Sequence, residues 1–202
     1  MYGKGIFMKK KAILLSVCAA LAVLVTILPT PEEAAVRERV IRLHVVANSD
    51  SEEDQALKLA VRDALTGEVA SMLKGVSTKE EAEKVLAEGL DGILACAKEA
   101  AGDVPVTVTL GKEHYPTKEY GSFRFPRGTY TSLQVKLGAA EGKNWWCVLF
   151  PPLCVGAASA EPEDACIEAG LTPGQVRILT GGEGKYRVRF RILEWLDALF
   201  GR

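Results

Sequence analysis

The chain has 202 residues, 48% of them hydrophobic and 25% charged, with a formal net charge of −1. A near-neutral balance without a basic stripe excludes nucleic acid as a partner. The length suits one domain with a sizeable core, and no internal repeat or low-complexity tract interrupts it.

Lys4, Lys9, Lys10 and Lys11 come first, with no acid among them, and residues 12–28 then run without a charge. A basic stretch followed by an apolar one reads as a signal peptide or membrane anchor over residues 1–30. The run lies between a signal core and a spanning helix of roughly 20 residues, so cleavage and retention both stay open. Export across, or anchoring in, a membrane through this segment is the expectation. Setting those four lysines aside leaves 21 of the 25 basic residues against 26 acids, an ordinary soluble surface. Residues 31–202 are expected to form a single α+β domain.

Residues 40–47, Val-Ile-Arg-Leu-His-Val-Val-Ala, are β-branched and apolar and end at Asn48-Ser49-Asp50-Ser51, which predicts a buried strand closed by a turn. Ser51 is placed to cap a helix, with Asp54 at the capping-box position and Glu52 and Glu53 in the first turn. Leu57, Val61, Leu65, Val69 and Leu73 recur every four residues and form one apolar stripe, and Gly75 ends it. Ser77 or Thr78 starts a second helix running to about residue 100, with Val85, Leu86, Leu90, Ile93, Leu94 and Ala97 on one side. Gly89 and Gly92 allow a close approach to that helix.

Val104, Val106, Val108 and Leu110 alternate as a half-buried strand, and Leu133, Val135 and Leu137 repeat the signal. Between them Tyr115, Tyr120, Phe123 and Phe125 punctuate a polar connection, either as a cover on the core or as an exposed contact patch. Residues 145–150 predict a further strand, ended by Pro151-Pro152. Trp145 and Trp146 are successive strand residues and so point to opposite faces. Residues 155–184 are rich in Gly, Ala, Pro and acids and are expected to be loop-rich. A last helix is expected towards Phe200. The sum is a two-layer domain: a small mixed or antiparallel sheet with helices packed on one face, preceded by the signal or anchor helix.

The chemistry-bearing residues are sparse. A Cys-His hydrolase would pair Cys147 or Cys154 with His44 or His114. Neither cysteine precedes an obvious helix N-terminus, and large apolar neighbours disfavour a thiolate at Cys147. His44 lies within an apolar strand, where a satisfied histidine is the simpler reading. Asp50, Glu52, Glu53 and Asp54 lack the glycine and distal glutamate of a calcium loop, so helix capping accounts for them. No metal-ligating, cofactor-binding or phosphate-cradling set is present. Of five cysteines, Cys18 falls in the leader and Cys96 on the apolar face of a predicted helix. Cys147 and Cys154 are a candidate disulfide if the diproline turns the chain back.

Two stretches stand out together. One is Ile41-Arg42-Leu43-His44-Val45-Val46-Ala47-Asn48-Ser49-Asp50-Ser51, leading to Asp54-Gln55-Ala56-Leu57-Lys58. The other is Gly142-Lys143-Asn144-Trp145-Trp146-Cys147-Val148-Leu149-Phe150-Pro151-Pro152-Leu153-Cys154. With Arg62-Asp63-Ala64 and Phe125-Pro126-Arg127-Gly128-Thr129-Tyr130, they resemble the stage II sporulation protein R family over about residues 37–155. That resemblance implies a non-enzymatic signalling protein of endospore formation. Such a protein is exported into the space between forespore and mother cell, where it triggers a membrane-embedded aspartic protease that processes the mother-cell pro-sigma factor. The candidate residues for reading that partner are Trp145, Trp146, Phe123, Phe125 and Arg127. An exported thiol-dependent or wall-active hydrolase is the alternative.

Overall fold

The computed structural model describes residue 11 and residues 13–21, 31–120, 123–153, 162–168 and 170–180. Residues 13–21 are helical, with Ile13, Leu14, Leu15, Val17 and Leu21 exposed. Among the described residues no helix is long and apolar enough to cross a membrane. The rest of the apolar run, Cys154 and the helix expected towards Phe200 lie outside the described residues.

The α+β class holds. Helix α1 (Pro31–Glu38) leads into β1 (Ile41–Val46), and α2 (Glu52–Met72), α3 (Lys79–Glu88) and α4 (Leu90–Ala101) follow. Then come β2 (Val106–Tyr115), β3 (Lys118–Tyr120), β4 (Phe123–Phe125), β5 (Gly128–Leu137) and β6 (Asn144–Phe150). Helices α5 (Pro162–Glu168) and α6 (Pro173–Leu179) complete the described elements. The main sheet runs β2-β5-β1-β6, with β1 parallel to β5 and antiparallel to β6, and β5 antiparallel to β2. β3 and β4 pair only with each other.

Alternation along the strands builds two different faces. Leu43, Val45, Val108, Leu133, Val135, Leu137, Cys147 and Leu149 form one buried cluster with Val61, Leu65 and Val69 of α2, Leu86 of α3 and Ile93 and Ala97 of α4. The opposite face carries a second cluster, in which Val36, Tyr115, Phe123, Phe125, Tyr130 and Val148 meet Val176 and Leu179 of α6. Helices therefore reach both faces. Part of the segment expected to be loop-rich is helical: Thr172 caps α6 with a complete capping box through Gln175, and Pro173 opens the helix.

The expected stripe of α2 is buried from Val61 to Leu73, but at its start Lys58, not Leu57, is the buried residue. Ser51 caps α2 through the Asp54 amide at 3.2 Å. The Asp54 carboxylate does not complete a capping box. It accepts from Asn48 Nδ2 (2.9 Å) and Ser49 Oγ (2.5 Å), bonds that hold it below the usual carboxylate range.

The single helix expected over 77–100 is two helices. Thr78 caps α3 through the Glu81 amide at 3.3 Å, and Gly89 ends α3 and begins α4. A Cβ at Gly89 would overlap the Met72 methyl, so glycine permits the close packing of this break against α2. Gly92, also expected to permit close approach, has open space around it.

Candidate functional site

The two stretches that carry the family likeness meet in space. Gly142 N donates to Ala47 O (3.0 Å) and Glu141 N to Asn48 O (3.1 Å). Lys143 N donates to the Asp50 carboxylate (2.8 Å), and Lys58 Nζ bridges Lys143 O (3.1 Å) and Gln55 Oε1 (2.6 Å). Burial depresses the Lys58 amine, while Asp50 opposes that shift. A Cβ at Gly142 would overlap the Ser49 carbonyl, so only glycine brings these backbones together. The Asn48–Lys58 region thus clasps the entry to β6 and fixes where both tryptophans stand.

Trp145 and Trp146 divide between the faces, as the alternation requires. Each is half-buried and covered by a cation. Arg62 of α2 lies 4.3 Å from the Trp145 ring centroid, and Lys118 Nζ of β3 lies 3.5 Å from that of Trp146. Trp145 packs on the apolar core, and its indole Nε1 is buried without a hydrogen-bond partner. Trp146 belongs to the opposite face, 5.5 Å from His44 and 6.3 Å from Tyr115 between ring centroids.

That opposite face is polar beneath an aromatic cover. His44 Nδ1 bonds Glu113 Oε1 at 2.6 Å, and Nε2 meets Asn144 Oδ1 at 2.8 Å. Ser132 Oγ donates to Glu113 Oε2 (2.8 Å) and accepts from the Tyr115 hydroxyl (2.6 Å). Burial pushes the Glu113 carboxyl up, but His44 beside it and the Ser132 and Tyr115 hydroxyls together hold it below its ordinary value. Burial, and secondarily the Glu113 charge, pushes the Tyr115 phenol well up. Two residues before His44, at the neighbouring position on the same face, lies Arg42, fully buried. Its Nε donates to Cys147 O (3.1 Å) and its Nη2 to the Tyr120 hydroxyl (2.6 Å). The guanidinium sits 4.4 Å from the centroid of Tyr115, 5.1 Å from Tyr130, 5.3 Å from Phe125 and 5.5 Å from Tyr120.

The candidate contact residues therefore divide. Phe123 and Phe125 are buried, so the aromatic connection folds back on the sheet as a cover. Arg127 is half-buried, and its carbonyl accepts from Arg37 Nη1 at 3.4 Å. Trp146 and Lys118 form the half-exposed rim. A Cβ at Gly128 would strike the Arg37 side chain, and its φ of +145° is glycine territory, which ties this loop to α1.

A cysteine-histidine pairing has no geometric support at Cys147. This residue is disulfide-bonded and lies in the apolar cluster, while His44 stands on the other face. Cys166 is buried, Cys96 carries a free thiol, and burial raises that thiol, with Glu68 and Glu99 adding to it. Ser132 faces the carboxylate of the His44–Glu113 pair rather than the imidazole. Among the described residues no group of three or more His, Cys, Asp or Glu side chains is arranged to hold a metal.

Tyr115 was read among the aromatics of the connection, whereas Arg42, Glu113, Ser132 and Tyr130 were not singled out by periodicity or spacing. The one available signal was Arg42 itself, a charge inside an otherwise apolar β-branched run.

What the fold and this face define is an α+β scaffold with one apolar side and one buried polar-aromatic side. The family model for stage II sporulation protein R matches residues 37–160. The chain is 34% identical over 190 residues to stage II sporulation protein R of Bacillus subtilis (strain 168), covering 84% of this chain and 85% of that protein. The chain belongs to the stage II sporulation protein R family. No solved structure matches it.

Proposed function

We propose that the chain is an exported signal of endospore formation that triggers a membrane-embedded aspartic protease, which then processes the mother-cell pro-sigma factor. Family membership carries this reading. The four lysines followed by the uncharged run of residues 12–28 support delivery to the space between forespore and mother cell, free or tethered. A signal of this kind needs a complementary surface, and it acts by favouring the active, dimeric state of the protease. The rim of Trp146 and Lys118, stiffened from beneath by Arg42 and its rings, is the surface we assign to the partner. Half-exposed aromatics backed by a rigid core suit a contact centre. The test is a sporulating strain in which the chain lacking residues 1–30 replaces the native copy. Processing of the pro-sigma factor, followed by immunoblot, is expected to stop while the protein accumulates. Full processing by the leaderless chain overturns the export reading.

A further inference from the structure

The charge pattern on the polar-aromatic face is unbalanced. Arg42 is 0% exposed, and its Nη1 has no hydrogen-bond partner. Among the described residues no acid pairs with it; Glu113, the carboxylate on the same face, is taken by His44 and Ser132. Lys118, the second cation there, rests on the Trp146 ring and forms no ion pair with a described residue. A guanidinium buried without a counter-ion costs several kcal/mol of desolvation, which four rings and two hydrogen bonds offset only in part. The planar fork of such a group matches a carboxylate in two parallel bonds.

We infer that the Arg42 cage is a receptor for a carboxylate carried on a polypeptide side chain, reached when β3 swings off the sheet. β3 is three residues long and pairs only with β4, so its displacement breaks no ladder bond of the main sheet. What it gives up is its short pairing with β4, the Glu119–Arg124 ion pair, the Tyr120 hydroxyl bond to Arg42 Nη2, and the packing of Tyr120 on Phe125 and of Lys118 on Trp146. The arriving carboxylate takes Nη2 from Tyr120 and fills the vacant Nη1, with the Lys118 ammonium closing over it. The source is a polypeptide rather than a free acid because Lys118, the cation that closes the site, rests on the half-exposed ring of Trp146, which gives a side chain's neighbours something to pack on. The inference rests on this geometry and stands independently of the protease reading.

The probe is the peptide acetyl-Gly-Glu-Gly-amide, titrated into the full-length chain with 15N-labelled arginine while the Arg42 guanidinium resonances are followed. Saturable displacement is expected with this peptide and none with its Gln counterpart. Tyr120→Phe, which removes the competing hydroxyl, should tighten binding about fivefold, the equivalent of one hydrogen bond of about 1 kcal/mol. Lys118→Met, at a half-exposed position that folding tolerates, should weaken it by at least the same factor. No displacement, or an equal response to the Gln peptide, overturns the receptor. An equal response to sodium acetate at the same concentration overturns the polypeptide source.

Discussion

The two faces of one sheet are built on different physics. On the side of α2, α3 and α4, Leu43, Val45, Leu65, Leu133 and their neighbours bury apolar surface without direction or charge. On the side of β3 and β4, a few polar groups and aromatic rings are matched atom by atom: His44 to Glu113, Glu113 to Ser132, Arg42 to Tyr120. The first arrangement tolerates substitution if volume is kept. The second fails when one partner is lost, because the other is left buried and unsatisfied. That difference separates a scaffold from a surface on which side-chain placement matters.

The sharpest way to break the comparison is to damage each side once. Leu65→Ala, at a fully buried position of α2, is expected to cost about 2–5 kcal/mol in denaturant unfolding, the range for a cavity in an apolar core. Ser132→Ala removes a single oxygen yet takes one partner each from the Tyr115 hydroxyl and the Glu113 carboxylate, and should cost about 1–3 kcal/mol. A loss below about 0.5 kcal/mol would show the network to be less coupled than its geometry.

Acid distinguishes the faces more finely. The folded Glu113 carboxyl sits below its ordinary value, so the unfolded state binds the proton more readily. The stability it contributes is complete above the ordinary glutamate pKa of about 4.3 and is lost as pH falls through the depressed folded value. Glu113→Gln should flatten that acid limb of the unfolding midpoint. The smallest effect is expected at the two covering cations. Arg62→Met and Lys118→Met each give up a cation–ring contact at a partly exposed tryptophan, about 0.5–1 kcal/mol at most, read by thermal melting.

The apolar face was legible because its signals are periodic. Residues four apart in α2 and two apart in β1, β5 and β6 name the core without knowledge of the partners. The break at Gly89 was not legible, since a run of good helix formers on both sides conceals it and only the packing of Met72 against Gly89 favours a small residue there. The polar-aromatic face was largely hidden. Glu113 and Tyr115 belong to an extension of β2 beyond the clean alternation, and Arg42 meets rings 73 to 88 positions away and the Cys147 carbonyl 105 positions away, separations that no local window spans. His44 was readable as a satisfied strand histidine, and both its nitrogens are bonded. The division of Trp145 and Trp146 between faces followed from strand geometry, whereas the cations covering them did not. The clasp between residues 47–58 and 141–143 gives a structural reason for the two stretches that stood out in the sequence: each is shaped by contact with the other.

The central claim is that the polar-aromatic face, organised by Arg42, is the side that works on the partner. Arg42→Met exchanges the buried charge for an apolar side chain of similar reach and takes the donor from Cys147 O and the Tyr120 hydroxyl, so folding is checked beside function. The decisive measurement is pro-sigma processing in sporulating cells whose only copy carries Arg42→Met, alongside the protein's level and its circular dichroism. Lost processing by a folded, normally accumulating protein is the predicted result. Normal processing would contradict the claim and return the search for the contact surface to the rest of the domain.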